Sequence, residues 1–182
     1  MVYLFLADGF EEIEALTQVD YLRRAGIEIK TLGIDGEYIT GSRGITVKAD
    51  MPVESADIKG VKMLILPGGL GGVDGISNSE AAISLINEAY KSGSFIAAIC
   101  AAPTVLAKLG MLSGKKCVCY PSMLDILKEN GGIVCENQAV VIDGKIITAK
   151  AAGSSEEFSF ELIRCLKDDT TVQKVRQSIC AR

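Results

Sequence analysis

The 182-residue chain contains no histidine and no tryptophan. The missing histidine excludes every mechanism that pairs a cysteine or serine with an imidazole of the same chain. It also excludes an imidazole metal ligand and a pH switch centred on histidine. Only four prolines occur while 48% of residues are apolar, a balance that favours a packed core over disorder. Repeats, linkers and low-complexity tracts are absent. No basic run appears and the formal net charge is -4, which argues against a nucleic-acid partner. No stretch is long enough to span a membrane. The apolar start, residues 2–7, lacks the length and the basic flank of a secretion signal. The expectation is one domain over residues 1–182, located in the cytoplasm.

Six cysteines are present: Cys100, Cys117, Cys119, Cys135, Cys165 and Cys180. An even count suits disulfides in an exported chain, but without an export signal and at this size reduced thiols are expected. No C-x-x-C occurs. Cys117 and Cys119 fall two apart, on one face of a strand, yet no second ligand pair follows. No metal and no cofactor are expected.

Apolar runs and helical stripes alternate along the chain. Residues 2–7 read as a strand, turning at Asp8-Gly9. Asp8 and Glu11 resemble a capping box opening a helix whose stripe is Leu16, Val19 and Leu22, ended by Gly26. Residues 27–34 form the next strand, giving a right-handed β-α-β unit. A turn at Asp35-Gly36 leads into a small antiparallel excursion over 38–49, then a connector with a short helix. Residues 63–66 are a buried strand ending in the loop Pro67-Gly68-Gly69-Leu70-Gly71-Gly72. Ser79 caps a helix to Lys91, and residues 95–99 are another buried strand. Further expectations are a short strand at 117–120, a short helix at 122–129, strands at 133–135, 139–142 and 146–149, a helix opened by a Ser154/Glu157 capping box, and a last helix over 170–179. This alternation implies an α/β three-layer sandwich around a mostly parallel sheet, with ligands beyond the carboxyl ends of its strands.

Cys100 stands at such an end. The segment 95–110, FIAAICAAPTVLAKLG, joins a buried strand to a helix with Pro103 in its first turn. That junction is a nucleophile elbow, with the sulfur near helix N-terminal amides that favour thiolate. A buried structural cysteine is the alternative. The glycine loop after residue 66 brings backbone amides close to a ligand, and with the Ala101 amide it could form an oxyanion hole. It fails the dinucleotide fingerprint, because Asp74 stands where a third glycine is needed. Glu11, Glu12 and Glu14 sit in the first turns of the first helix, where carboxylates offset the helix dipole. Glu14 shares a face with Gln18 and Tyr21, and periodicity alone does not decide whether it is buried.

LADGFEEIEA, LILPGG, AAICAAPTVLAKLG and AAGSSEEFSFELI, in that order from residue 2 to about 166, resemble the ThiJ/PfpI superfamily, in the subgroup of the Parkinsonism-associated protein DJ-one. The resemblance implies a flavodoxin-like sandwich and a homodimer. It implies that Cys100 is the reactive cysteine and Glu14 the buried acid that hydrogen-bonds its sulfur, with amides from Gly69 and Ala101. Gly68, Tyr120, Arg24 and Arg43 would complete the surroundings of a substrate or of an oxidised cysteine, Arg43 from the partner subunit. Tyr120, in CVCYPS, occupies the position where the family usually has histidine. A phenol is ordinarily a poor base at neutrality, which disfavours a peptidase.

Two functions follow from the resemblance. One is glyoxalase III-like or deglycase-like action on reactive α-oxoaldehydes through Cys100 and Glu14, with no added cofactor. The other is a redox sensor or chaperone in which an oxidant converts Cys100 to sulfinic acid. A thiamine-pathway role is a weaker third, which no residue supports.

Overall fold

The computed structural model describes residues 1–34 and 36–181. Asp35, and with it the expected Asp35-Gly36 turn, lies outside the described residues. In chain order the elements are β1 (Val2–Leu6), α1 (Glu12–Arg24), β2 (Ile29–Gly33), β3 (Tyr38–Thr40), β4 (Thr46–Lys48), β5 (Met51–Pro52), β6 (Met63–Leu66), α2 (Leu70–Asn78), α3 (Glu80–Lys91), β7 (Phe95–Ile99), α4 (Pro103–Lys108), β8 (Lys116–Cys117), α5 (Leu124–Glu129), β9 (Ile133–Val134), β10 (Val140–Asp143), β11 (Ile146–Ala149), α6 (Ser155–Leu166) and α7 (Asp169–Ser178).

Seven strands form the central sheet in the order β10-β11-β7-β6-β1-β2-β5, and every pairing is parallel except β10 with β11. The alternation of a buried strand explains the unbroken apolar runs. Along β1, Tyr3 and Phe5 join the core on one face, while Val2, Leu4 and Leu6 join the core on the other. Helices α2 to α5 supply residues to the first core, and α1, α6 and α7 to the second. The fold is the expected α/β sandwich. β3 and β4 form the expected antiparallel excursion.

Several local expectations are corrected. The glycine loop is in part a helix: α2 starts directly after Gly69. Its glycines hide it from a propensity reading, yet they are what lets it pack. A Cβ on Gly71 would lie 2.8 Å from the Asp8 carbonyl oxygen, and one on Gly72 2.8 Å from the Phe10 Cα. Asp8 caps no helix. Glu11 occupies the cap position of α1 without a side-chain bond, and Asp8 instead accepts from the Thr40 amide at 2.8 Å. Ala15, not half-buried Leu16, shares the α1 stripe with Val19 and Leu22. Ser154 makes no capping bond, whereas Asp168 caps α7 by accepting from Thr171. The strand expected at 117–120 stops at Cys117, because the Val118 amide turns to the Thr148 hydroxyl and the Tyr120 amide to the Cys100 carbonyl.

Candidate active site

The carboxyl ends of β1, β6 and β7 deliver Ala7, Pro67 and Cys100 to one edge of the sheet. Cys100 has φ 65°, a left-handed conformation rare for a residue with a side chain. It is held there from both sides: its amide donates to the Ala149 carbonyl at 2.9 Å, and its carbonyl accepts from the Tyr120 amide at 2.8 Å. The sulfur is thereby turned out of β7 toward the amides of Ala101 and Gly69, which act to lower its pKa.

Glu14, in the first turn of α1, reaches the same point and is 1% exposed. Its Oε2 accepts from the Gly68 amide at 2.9 Å. Its Oε1 has no hydrogen-bond partner of normal geometry among the described residues. Burial pushes the Glu14 carboxyl up to about 7, opposed by the Cys100 thiol and by the Gly68 and Ala152 amides. Gly68 separates the acid from the elbow. A Cβ there would stand 2.4 Å from Glu14 Oε2 and 2.7 Å from the Cys100 Cβ, so only glycine admits this contact.

The expected low-pKa thiolate is not the resting state. Burial first, then the charge and hydrogen bond of Glu14, push the Cys100 thiol up to about 12, and the Ala101 and Gly69 amides offset only part of this. The two groups titrate as a pair. Near neutrality the pair loses one proton. Glu14, the lower of the two, loses its proton first and leaves a carboxylate beside a thiol; transfer of the thiol proton to it gives a second form, the carboxylic acid with a thiolate. In the second form Glu14 no longer repels the sulfur but donates to it.

Around Cys100 and Glu14 lies a cavity of about 620 Å³ that also includes Gly69, Ala101, Tyr120 and Arg43, in the size range of small-molecule sites. Gly68 underlies it. Tyr120 is 45% exposed, and its hydroxyl makes no hydrogen bond among the described residues. Arg43 lines the cavity of its own chain, 3.8 Å from Glu11. Arg24 does not line it. It sits about 15 Å further along α1, paired with Asp20 at 2.9 Å.

Sequence reasoning missed Ser42, Met123 and Ala152, all of which line the cavity. Ser42 and Arg43 are placed by Glu12, which is buried although it begins a helix. Glu12 accepts from the Arg43 amide at 2.7 Å, the Ile45 amide at 3.3 Å and the Ser42 hydroxyl at 3.3 Å. Burial alone would raise its pKa, but these bonds and its own amide hold it below the usual carboxylate value. Among the described residues no cluster of three His, Cys, Asp or Glu side chains could hold a metal ion. No helix among them is long and apolar enough to cross a membrane.

Comparison with known proteins agrees with the fold. Protein dj-1beta of Drosophila melanogaster is 37% identical over 177 residues, 97% of this chain and 94% of the relative. Its crystal structure superposes with a TM-score of 0.94 at 36% identity, covering 100% of this chain and 97% of the other. The structure of oxidized Toxoplasma gondii DJ-1 gives a TM-score of 0.92 at 32% identity, covering 98% and 97%. A deglycase of Pyrococcus abyssi is 28% identical over 166 residues, 91% of this chain and 99% of the relative. The model of the DJ-1/PfpI family matches residues 1–165, and the chain belongs to that family.

Proposed function

We propose that the protein converts small α-oxoaldehydes to hydroxy acids through Cys100 and Glu14, in a glyoxalase-like or deglycase-like reaction. The observation that carries this reading is the placement of buried Glu14 and Cys100 on either side of Gly68, in the wall of one cavity. A buried acid titrating near 7 faces a cysteine sulfur that already has two backbone donors. Relatives named as deglycases support the carbonyl substrate class.

With methylglyoxal the steps balance as follows. The Cys100 thiolate adds to the aldehyde carbon, whose oxygen takes a proton from the Glu14 acid, giving a hemithioacetal. The Glu14 carboxylate then removes the hydrogen on that carbon. The electron pair moves to form an enediolate, and the second carbon takes the proton back. The first carbon is oxidised to a thioester while the second is reduced to an alcohol. Water cleaves the thioester, releasing lactate and the thiol. The amides of Gly69 and Ala101 stand where negative charge develops on oxygen next to sulfur, and no histidine is required.

Lactate formation from methylglyoxal tests this. The wild-type rate should exceed that of Cys100→Ala by about 10³-fold or more, the scale expected when a nucleophile is removed. Equal rates would exclude the reaction.

A second reading rests on the same amides. They and a protonated Glu14 would equally hold the oxygens of a Cys100 sulfinic acid, making the protein a redox sensor, with a homodimer as its assembly. Peptide mapping after mild peroxide should then show one oxidised site, Cys100. Even oxidation over all six cysteines would reject this.

A further inference from the structure

A second concavity, of about 370 Å³, lies at the opposite edge of the sheet, about 16 Å away along β7. It forms where the α3–β7 connection, the start of β6, the β10–β11 turn and the end of α6 meet. Its charged residues are Lys62 and Lys145. Although the chain carries net charge -4, neither lysine has a carboxylate within ion-pair distance among the described residues. The Lys145 ammonium is held 3.7 Å above the centre of the Phe95 ring, which also lines the cavity. Glu161, the acid whose charge acts on the Cys165 wall, is engaged by Arg164.

The remaining polar groups narrow the ligand. The amides of Ser92, Ser94, Phe95 and Ile96 all donate to backbone carbonyls, so the main chain offers no anion cradle. The Ser92 hydroxyl donates to the Ala89 carbonyl at 2.9 Å, and the Ser94 hydroxyl donates to the Val61 carbonyl at 2.8 Å. The two hydroxyl oxygens lie 3.2 Å apart. With both protons directed to carbonyls, these oxygens have lone pairs to accept from a ligand. Two ammonium groups with no carboxylate partner among the described residues seek anionic oxygen, while the serine pair seeks an O–H.

We propose that this cavity is a second ligand site, for a small oxyanion that also carries a hydroxyl. Inorganic hydrogen phosphate and a hydroxycarboxylate share that chemistry. The site is independent of the reaction at Cys100.

The Cys165 thiol, half-buried in the cavity wall, is a built-in reporter. The full chain is alkylated with iodoacetamide at mildly alkaline pH and constant ionic strength, and each cysteine is followed by peptide mass. Inorganic phosphate, lactate, acetate and chloride are the four arms. Phosphate or lactate should slow labelling of Cys165 saturably, by about tenfold at ten times its dissociation constant. Labelling of Cys135 should be unchanged. Protection by phosphate alone identifies a phosphate-type ligand, and by lactate alone a hydroxycarboxylate. The Lys62→Gln/Lys145→Gln variant keeps the side-chain stems and should lose the protection. The proposal is overturned by the absence of saturable protection from both anions, by equal protection in the double variant, or by acetate protecting as well as lactate.

Discussion

Glu12 and Glu14 stand two residues apart on α1, both buried, and meet opposite fates. Glu12 faces the β3–β4 hairpin, where two amides and a hydroxyl from that turn converge on its carboxylate. Glu14 faces the elbow, where the Gly68 amide bonds one oxygen and the other has no hydrogen-bond partner of normal geometry among the described residues. The first carboxyl is held below its ordinary value and the second rises to about 7. Burial therefore does not by itself make a working acid. The number of donors that greet the carboxylate decides whether it is a fixed anion that builds a turn or a proton carrier beside a sulfur.

That contrast is open to direct attack. Glu14→Gln should lower kcat on methylglyoxal by about 10²–10⁴-fold, the range for losing a positioned acid-base group. Glu12→Gln should leave kcat within a few-fold while costing about 1–3 kcal/mol in urea unfolding, because the hairpin bonds lose their charge. Equal kinetic losses in the two variants would erase the distinction.

Gly68→Ala sharpens it further. The new methyl group must displace either Glu14 or the elbow. A shift of about 1 Å is enough to lower kcat about 10²-fold, with Cys100 alkylation altered in parallel.

Stability against pH separates the two acids by sign. The folded pKa of Glu14 lies above its ordinary 4.5, so the folded state keeps a proton that the unfolded chain releases. Its contribution is full below about 4.5 and is lost as pH rises to about 7, at most about 3 kcal/mol by linkage. For Glu12 the folded pKa is depressed, so its contribution is present above about 4.5 and is lost as pH falls through the folded value. Wild type measured against Glu14→Gln should thus weaken between pH 4.5 and 7, and against Glu12→Gln should weaken on acidification.

The smallest effect is expected at Tyr120. Its hydroxyl makes no hydrogen bond among the described residues, and its link to Cys100 runs through the backbone amide. Tyr120→Phe should change stability by no more than about 0.5 kcal/mol and leave the pH dependence of the pair in place.

Much of this was legible in the sequence, for physical reasons. Continuous apolar runs such as 63–66 and 95–99 mark strands buried on both faces, and small residues followed by Pro103 mark the turn that exposes Cys100. Other features depend on contacts far apart in the chain. Gly71, Gly72 and Gly75 argue against a helix by propensity, but α2 packs closely against residues 7–10 because they are glycines. Asp8 offers the pattern of a cap, but the hairpin amide of Thr40 takes its carboxylate instead. Periodicity left the burial of Glu14 open, since Gln18 on the same face is itself buried, bonded to Ser155 and Ser159 of α6. The direction of the Cys100 shift was hidden for the same reason: helix amides suggest a thiolate, and only the folded site adds a buried carboxyl to oppose it.

The measurement that tests the shared proton most directly is the rate of Cys100 alkylation against pH in wild type and in Glu14→Gln. In wild type the rate should rise up to about pH 7, where the pair loses its one proton, and then stay flat to about pH 10. In Glu14→Gln it should continue to climb about tenfold per pH unit through the same interval, as an independent thiol does. Parallel profiles, with wild type climbing through pH 7 without a plateau, would contradict the account.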